Sequence, residues 1–320
     1  MSYKTSLGIG AGFVVCKQDI AGTELSLKEM KTREKIIETL LKLSALLTVL
    51  TTLGIILVLS VQSVSFFQEV SVFDFLTDSE WTPLFAQKHF GIMPLLSGTL
   101  VVTFIAIGFA LPVGLSIAVY LNEFAPKKFK NTVKPILELL AAVPTVVYGF
   151  FALTVVTPFL QTIYPDLGGF NALSAGLVMG IMIIPFISSL SEDALSAVPK
   201  SLREASYGMG STRFQTAFKV TVPAASSGIV VSVILAISRA IGETMIVAIA
   251  AGQQPRLTLD PTVPIETITA YIVQVSLGDV PHGSLEYKTI FAAGITLFIF
   301  TFLLNNISFY IKKKYQEKYE

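Results

Sequence analysis

Charge is scarce in this sequence. Asp, Glu, Lys and Arg make up 14% of its 320 residues, while 52% are hydrophobic. Soluble domains carry about 25% charged residues. A soluble fold could not hide so much apolar surface and still clothe itself in polar groups. A typical soluble enzyme and a disordered chain are both excluded. Cysteine is nearly absent: Cys16 stands alone, which excludes an internal disulfide framework. Histidine is confined to His89 and His282, leaving almost no material for a His/Cys metal site. The chain has no G-x-x-x-x-G-K-S/T phosphate loop, and Gly8-Ile9-Gly10-Ala11-Gly12 lacks the strand–helix setting of a dinucleotide site. It is expected to hydrolyse nothing by itself and to hold neither metal nor cofactor.

Long apolar runs are what the sequence does have. A membrane helix needs about 20 predominantly apolar residues. Six segments qualify: about 43–67, 95–121, 136–160, 172–190, 224–251 and 289–311. No window alternates as a lipid-facing barrel strand would. Helices satisfy their own backbone groups in lipid, so the expected fold is all-α, a polytopic membrane protein with six transmembrane helices. Residues 36–320 form the transmembrane domain. Residues 1–35, with the short run Leu7–Cys16, read as a mobile or surface-lying extension with an idle thiol.

Basic residues orient such a bundle. With the N-terminus inside, the inner segments hold 19 of the 23 Lys and Arg residues. The outer segments hold Lys88, Arg256 and Lys288, and Arg239 lies within a span. Both termini are therefore expected on the cytoplasmic side of a plasma membrane. The outer segments also carry nine acids, Asp78, Glu80 and Glu266 among them. An anion would gain nothing from long-range steering toward that face, so an anionic cargo would need a carrier.

The most costly feature is Arg239 with Glu243 in the fifth segment. A charge at mid-bilayer costs about 2.5–3.5 kcal/mol on insertion scales. Spacing of four puts both on one helix face, with Ser232 and Ala236 along the same small, polar stripe. Counting about 1.5 Å per residue from Ala224 places Arg239 past the midplane, toward the outer half. A buried pair that only fixes packing is one reading. A substrate-contacting site on a translocation path, with Thr244 beside it, is the other. Pro112, Pro144 and Pro185 interrupt spans and can kink them. Near Pro144, Tyr148 carries a hydroxyl that needs a partner.

The loop 191–223 is rich in punctuation. Pro199 suits a helix start, Lys200–Tyr207 a short helix, and Gly208 and Gly210 its end. Residues 212–221 suit a second helix closed by Pro223. A helix–Gly–helix elbow between spans suits partner docking, although a solvated connector would share these cues.

This elbow resembles the signature of ABC-importer permeases: Glu-Ala-Ala, three residues, Gly, nine residues, then Ile-x-Leu-Pro. Here Glu204-Ala205-Ser206, Gly210 and Val220-Thr221-Val222-Pro223 meet that spacing. Arg239-Ala240-Ile241-Gly242-Glu243-Thr244-Met245 is similar to a segment of phosphate permeases, as are the run Phe90–Leu100 and the proline segment ending Tyr148-Gly149. Of the two paralogous phosphate-permease families, Met245-Ile246-Val247 resembles PstC, since PstA usually has Ala-Pro-Leu there. The resemblance implies a type I ABC-importer permease fold. It implies that Glu204, Ala205, Gly210 and Pro223 couple the spans to a cytoplasmic ATPase. It also implies a heterodimer with a PstA-like paralogue, two PstB-like ATPase subunits that bind the ATP, and a PstS-like phosphate-binding protein outside. In that setting Arg239 would contact phosphate, and Glu243 would accept a hydrogen bond from its protonated oxygen, which sulfate lacks near neutral pH. A permease for sulfate or molybdate, an ATP-independent transporter and a membrane scaffold are the competing classes.

Overall fold

The computed structural model describes the backbone of residues 9–315 and the side chains of residues 34–311. The Cys16 thiol and the basic tail Lys312, Lys313, Lys314 and Lys318 lie outside the described side chains. Among the described residues there is no strand, only two isolated bridges, Trp81 with Phe90 and Gly252 with Ile265.

The chain divides into two units, Met1–Val58 and Leu59–Glu320. The described part of the first unit is helix. Helix α1 runs Ile9–Phe67 without interruption, so from residue 9 onward the expected extension is the same helix as the first span. Within this unit the Thr39, Ser44, Thr48, Thr51 and Thr52 hydroxyls each donate to the carbonyl four residues back. That internal satisfaction is what a helix in hydrocarbon requires.

The second unit continues with α2 (Val72–Thr77), α3 (Met93–Val119) and a wide π-type turn at Tyr120–Phe124. Then come α4 (Lys127–Ala142), α5 (Thr145–Gln161), α6 (Ala172–Ser196), α7 (Lys200–Gly208) and α8 (Arg213–Ala224). The remainder is α9 (Ser226–Ile241), α10 (Met245–Ala250), α11 (Ile268–Leu277) and α12 (Leu285–Tyr315). Among the described residues four helices are long and apolar enough to cross a membrane, or up to six if each bent pair is one span.

The core is built on α3 against α6. Small residues let their backbones approach: a Cβ at Gly180 would stand 2.9 Å from the Ala106 carbonyl oxygen. Asn171 caps α6, its side chain accepting from Ser174 N–H at 2.7 Å. A second cluster joins Phe66, Phe75, Trp81 and Tyr271 by edge-to-face contacts, with Trp81 and Tyr271 centroids 5.0 Å apart. Beside it His89 Nδ1 lies 2.9 Å from Asp78 Oδ2. Hydrogen bonding to Asp78 raises the His89 pKa. Burial raises that of Asp78, but the His89 bond and neighbouring amides outweigh it and the net direction is down.

Two expected spans are broken. The run 136–160 divides into α4 and α5, which meet at 86°. Val143 precedes Pro144 and is pushed out of the helical region, with ψ 130°. The apolar window had averaged across this corner and missed that α4 begins at Lys127. The run 224–251 is likewise interrupted. α9 stands at 69° to α8, and it stops at Ile241, with Gly242 as its cap. The expected second elbow helix does not close at Pro223: α8 contains a wide turn at Ala217–Thr221 and carries on to Ala224. Pro223 starts a new turn there, where its missing N–H costs little. The other runs fall on helices of different bounds: 43–67 within α1, 95–121 on α3 and the wide turn after it, 172–190 within α6, which extends to Ser196, and 289–311 within α12, which begins at Leu285. α11, a 10-residue apolar helix within an expected outer loop, has no counterpart among the six segments.

Candidate translocation path and coupling elbow

Arg239 sits in the last turn of α9. Its register comes from a pin between helices: Ser232 Oγ and Ser191 Oγ are buried and 2.8 Å apart. Gly228 packs on Ala194, so α9 runs antiparallel to α6. Seven residues beyond the pin is about 10 Å, which brings Arg239 level with the middle of α6.

The Arg239 side chain is exposed in this chain. Its guanidinium carbon lies 6.0 Å from the Phe186 ring centroid, within cation–π range. It lines a cavity of about 250 Å³ together with Lys134 and Glu138 of α4 and Ser188, Ser189 and Glu192 of α6. Among the described residues no ion pair involves Arg239.

Glu243 does not share a helix face with Arg239, because α9 has ended. It lies in the break. Its Oε1 accepts from Met245 N–H at 3.2 Å, and its carbonyl accepts from Thr269 Oγ1 at 2.6 Å. The carboxylate satisfies amides that open α10, as helix starts demand. Thr244 donates weakly to the Gly242 carbonyl at 3.4 Å and does not line the cavity. Ser232 is 1% exposed and its hydroxyl is held between the helices. Tyr148 is also buried, and its hydroxyl donates to the Leu140 carbonyl at 2.8 Å, closing the end of α4 across the Pro144 corner. Both hydroxyls are thus taken by protein partners, not turned to the cavity. Of the five expected path residues, only Arg239 lines the cavity.

Lys134, Glu138 and Glu192 were not expected there. Lys134 and Glu138 share a face of α4 at spacing four. In sequence Lys134 precedes the apolar run at 136–160 and reads as a loop charge.

The first helix of the elbow and its glycine stop keep their expected form. α7 ends at Gly208, and Gly210 takes φ +82°, a left-handed conformation that glycine adopts freely. Thr212 and Gln215 form a reciprocal capping box at the start of α8. Ser206 and Thr216 hydroxyls, 2.9 Å apart, tie the two helices. Glu204, Ala205, Gly210 and Pro223 are exposed. So are Tyr207, Met209, Phe214 and Phe218, with Met209 at 87%. On the bundle side, Arg203 donates to the Leu195 carbonyl at 2.7 Å and pairs with Glu123 Oε1 at 3.3 Å.

Residues 110–317 match the family model of the binding-protein-dependent transport system inner membrane component. The probable ABC transporter permease protein YqgH of Bacillus subtilis is 36% identical over 261 residues, covering 81% of this chain and 84% of that one. The phosphate transport system permease protein PstC of Mesorhizobium japonicum is 34% identical over 258 residues, 75% and 78% of the two chains. The probable PstC of Methanocaldococcus jannaschii is 30% identical over 250 residues, 72% and 78%. Among solved structures, a bacterial alginate ABC transporter in complex with an alginate pentasaccharide-bound periplasmic protein gives a TM-score of 0.58 at 20% identity, covering 86% of this chain and 95% of that one. An inward-facing MetNI methionine ABC transporter gives 0.55 at 22%, covering 69% and 94%. These two likenesses concern the fold alone.

Proposed function

The chain belongs to the family of binding-protein-dependent transport system inner membrane components, as a multi-pass permease of an ABC importer, and from that premise we propose that its cargo is inorganic phosphate. The PstC relatives support this cargo, and one observation carries it on the chain itself: an arginine without an ion pair among the described residues, level with the middle of α6, exposed toward a cavity. Arg239 offers a planar fork of donors suited to a tetrahedral oxyanion. The exposure of that side chain marks the face where a PstA-like paralogue would complete the path. Phe186 backs the guanidinium without neutralising it.

Glu243 acts at one remove in this reading. By capping α10 it fixes where α9 stops, and so sets the reach of Arg239. The elbow lies on the cytoplasmic side, in line with the basic residues on its flanks. Its exposed apolar tip and Glu204 dock one of two PstB-like ATPase subunits, which bind and hydrolyse the ATP. This chain then contributes no catalysis and needs no cofactor of its own. A PstS-like protein delivers phosphate to the opposite, acid-rich end.

The test is reconstitution of the chain with its partner subunits in vesicles. ATP-dependent phosphate uptake that sulfate does not compete for is expected. Uptake of sulfate or molybdate in preference, or phosphate movement without ATP, would overturn the assignment.

A further inference from the structure

Glu192 is 1% exposed, yet two cations meet it. Lys130 and Lys134 of α4 both pair with its carboxylate. The Ser196 hydroxyl donates to the same group at 2.8 Å. Two ammonium groups and a hydroxyl converging on one buried site are donors that suit any oxyanion. The carboxylate occupies the place such an anion would take. Lys134 and Glu192 line the cavity that Arg239 also lines, and the Ser232–Ser191 pin puts this cluster about 10 Å from the guanidinium, toward the elbow.

The cluster is wired to the elbow. Ser196 Oγ also lies 3.0 Å from Asn122 Oδ1. A hydroxyl has one proton, so it serves Glu192 or Asn122 but not both at once. Asn122 Nδ2 donates to Glu123 Oε1 at 2.8 Å. That oxygen is the one paired with Arg203 of α7. Moving α7 therefore changes what Asn122 offers Ser196, and through it how firmly Glu192 is held. A hydroxyl with two exclusive acceptors is the kind of discrete element that can transmit such a movement.

We propose that Lys130, Lys134 and Ser196 form a second oxyanion station at the elbow end of the cavity, with Glu192 as its built-in occupant and Arg203 as the contact through which the elbow displaces it. The proposal rests on the reading of this chain as a phosphate permease. Phosphate leaving Arg239 meets Lys134 next, and exchange with Glu192 keeps it from lingering. Asp193, exposed and 3.7 Å from Lys134, and Glu138 in the same cavity add repulsion that favours release.

The experiment measures equilibrium binding of inorganic phosphate to the assembled complex in neutral-lipid vesicles, with uptake per ATP measured alongside. Glu192→Gln keeps the shape and removes the competing charge. Phosphate binding should tighten about tenfold, and transport per ATP should fall while hydrolysis continues. Adding Lys134→Gln to that variant should cancel the gain. Arg203→Gln, which leaves the cavity side chains in place, should shift binding in the same direction by about threefold. That variant decides the matter if Glu192→Gln fails to assemble. Unchanged binding in these variants, or a gain that survives loss of Lys134, would overturn the station. A gain seen only with anionic lipid would assign the lysines to headgroups and overturn it as well. Wild-type phosphate uptake in the same vesicles separates failure here from failure of the cargo assignment.

Discussion

Two arginines divide the labour of this chain. Arg203 is gripped: its guanidinium reaches a carboxylate and a backbone carbonyl, and its Glu123 partner is 4% exposed. Arg239 is not gripped. It has an aromatic ring beside it and a cavity before it. The first is what a structural cation looks like, with both terminal nitrogens of its guanidinium serving the fold. The second stands in a helix at a cost that no carboxylate among the described residues offsets. The contrast teaches that position in a span does not reveal purpose, whereas unmet donors in a cavity do.

The largest effect should come from Arg239→Ala. Phosphate uptake is expected to fall at least 100-fold, which corresponds to about 3 kcal/mol, with assembly and thermal midpoint unchanged. A variant that loses both stability and uptake would place Arg239 with Arg203. Arg203→Ala should do the reverse, costing about 2–3 kcal/mol in denaturant unfolding because it leaves a buried carboxylate unpaired. If stability held within 0.5 kcal/mol, a figure within the ordinary range for surface changes, the grip would be illusory. Tyr148→Phe extends the contrast to a neutral group. Its hydroxyl is gripped, so about 1 kcal/mol of stability should be lost with phosphate affinity intact. Weakened phosphate binding would return it to the path.

The smallest effect concerns a grip that pH can loosen. The His89 pKa is raised by Asp78, so the pair's stabilisation is full below the ordinary histidine value near 6.5 and is lost as pH rises through the raised one. The Asp78 pKa is lowered, so its contribution is present above about 3.9 and fades as pH falls through the lowered one. Amide protection factors across residues 78–90, which divide out the intrinsic pH dependence of exchange, should therefore be highest between these limits and fall above neutrality. A flat profile, or one unchanged in His89→Gln, would remove the pair as a clamp.

Much of this was legible beforehand. Run lengths found most of the membrane-crossing segments, because hydrocarbon thickness imposes a length that any sequence must display. The elbow was legible because Gly210 and the Thr212–Gln215 box are local chemistry. The breaks were less so. Pro144 was visible, but whether it bends a span or ends it depends on Tyr148 reaching Leu140. The stop at Gly242 depends on Thr269, which is remote in sequence. Glu243 was therefore placed on a helix that had already finished. Lys134 and Glu192 were passed over because each sits at the edge of an apolar run. In folded form those edges turn inward and face each other.

The exposed guanidinium has a consequence for biogenesis. On the proposed pairing with a PstA-like paralogue, a copy of this chain inserted without that mate would present a bare cation to acyl tails, at about 2.5–3.5 kcal/mol. That penalty disappears only when a mate covers it. Orphan copies should then be the ones that membrane proteases remove, so that surviving numbers of the two halves are matched by degradation even when their synthesis is not.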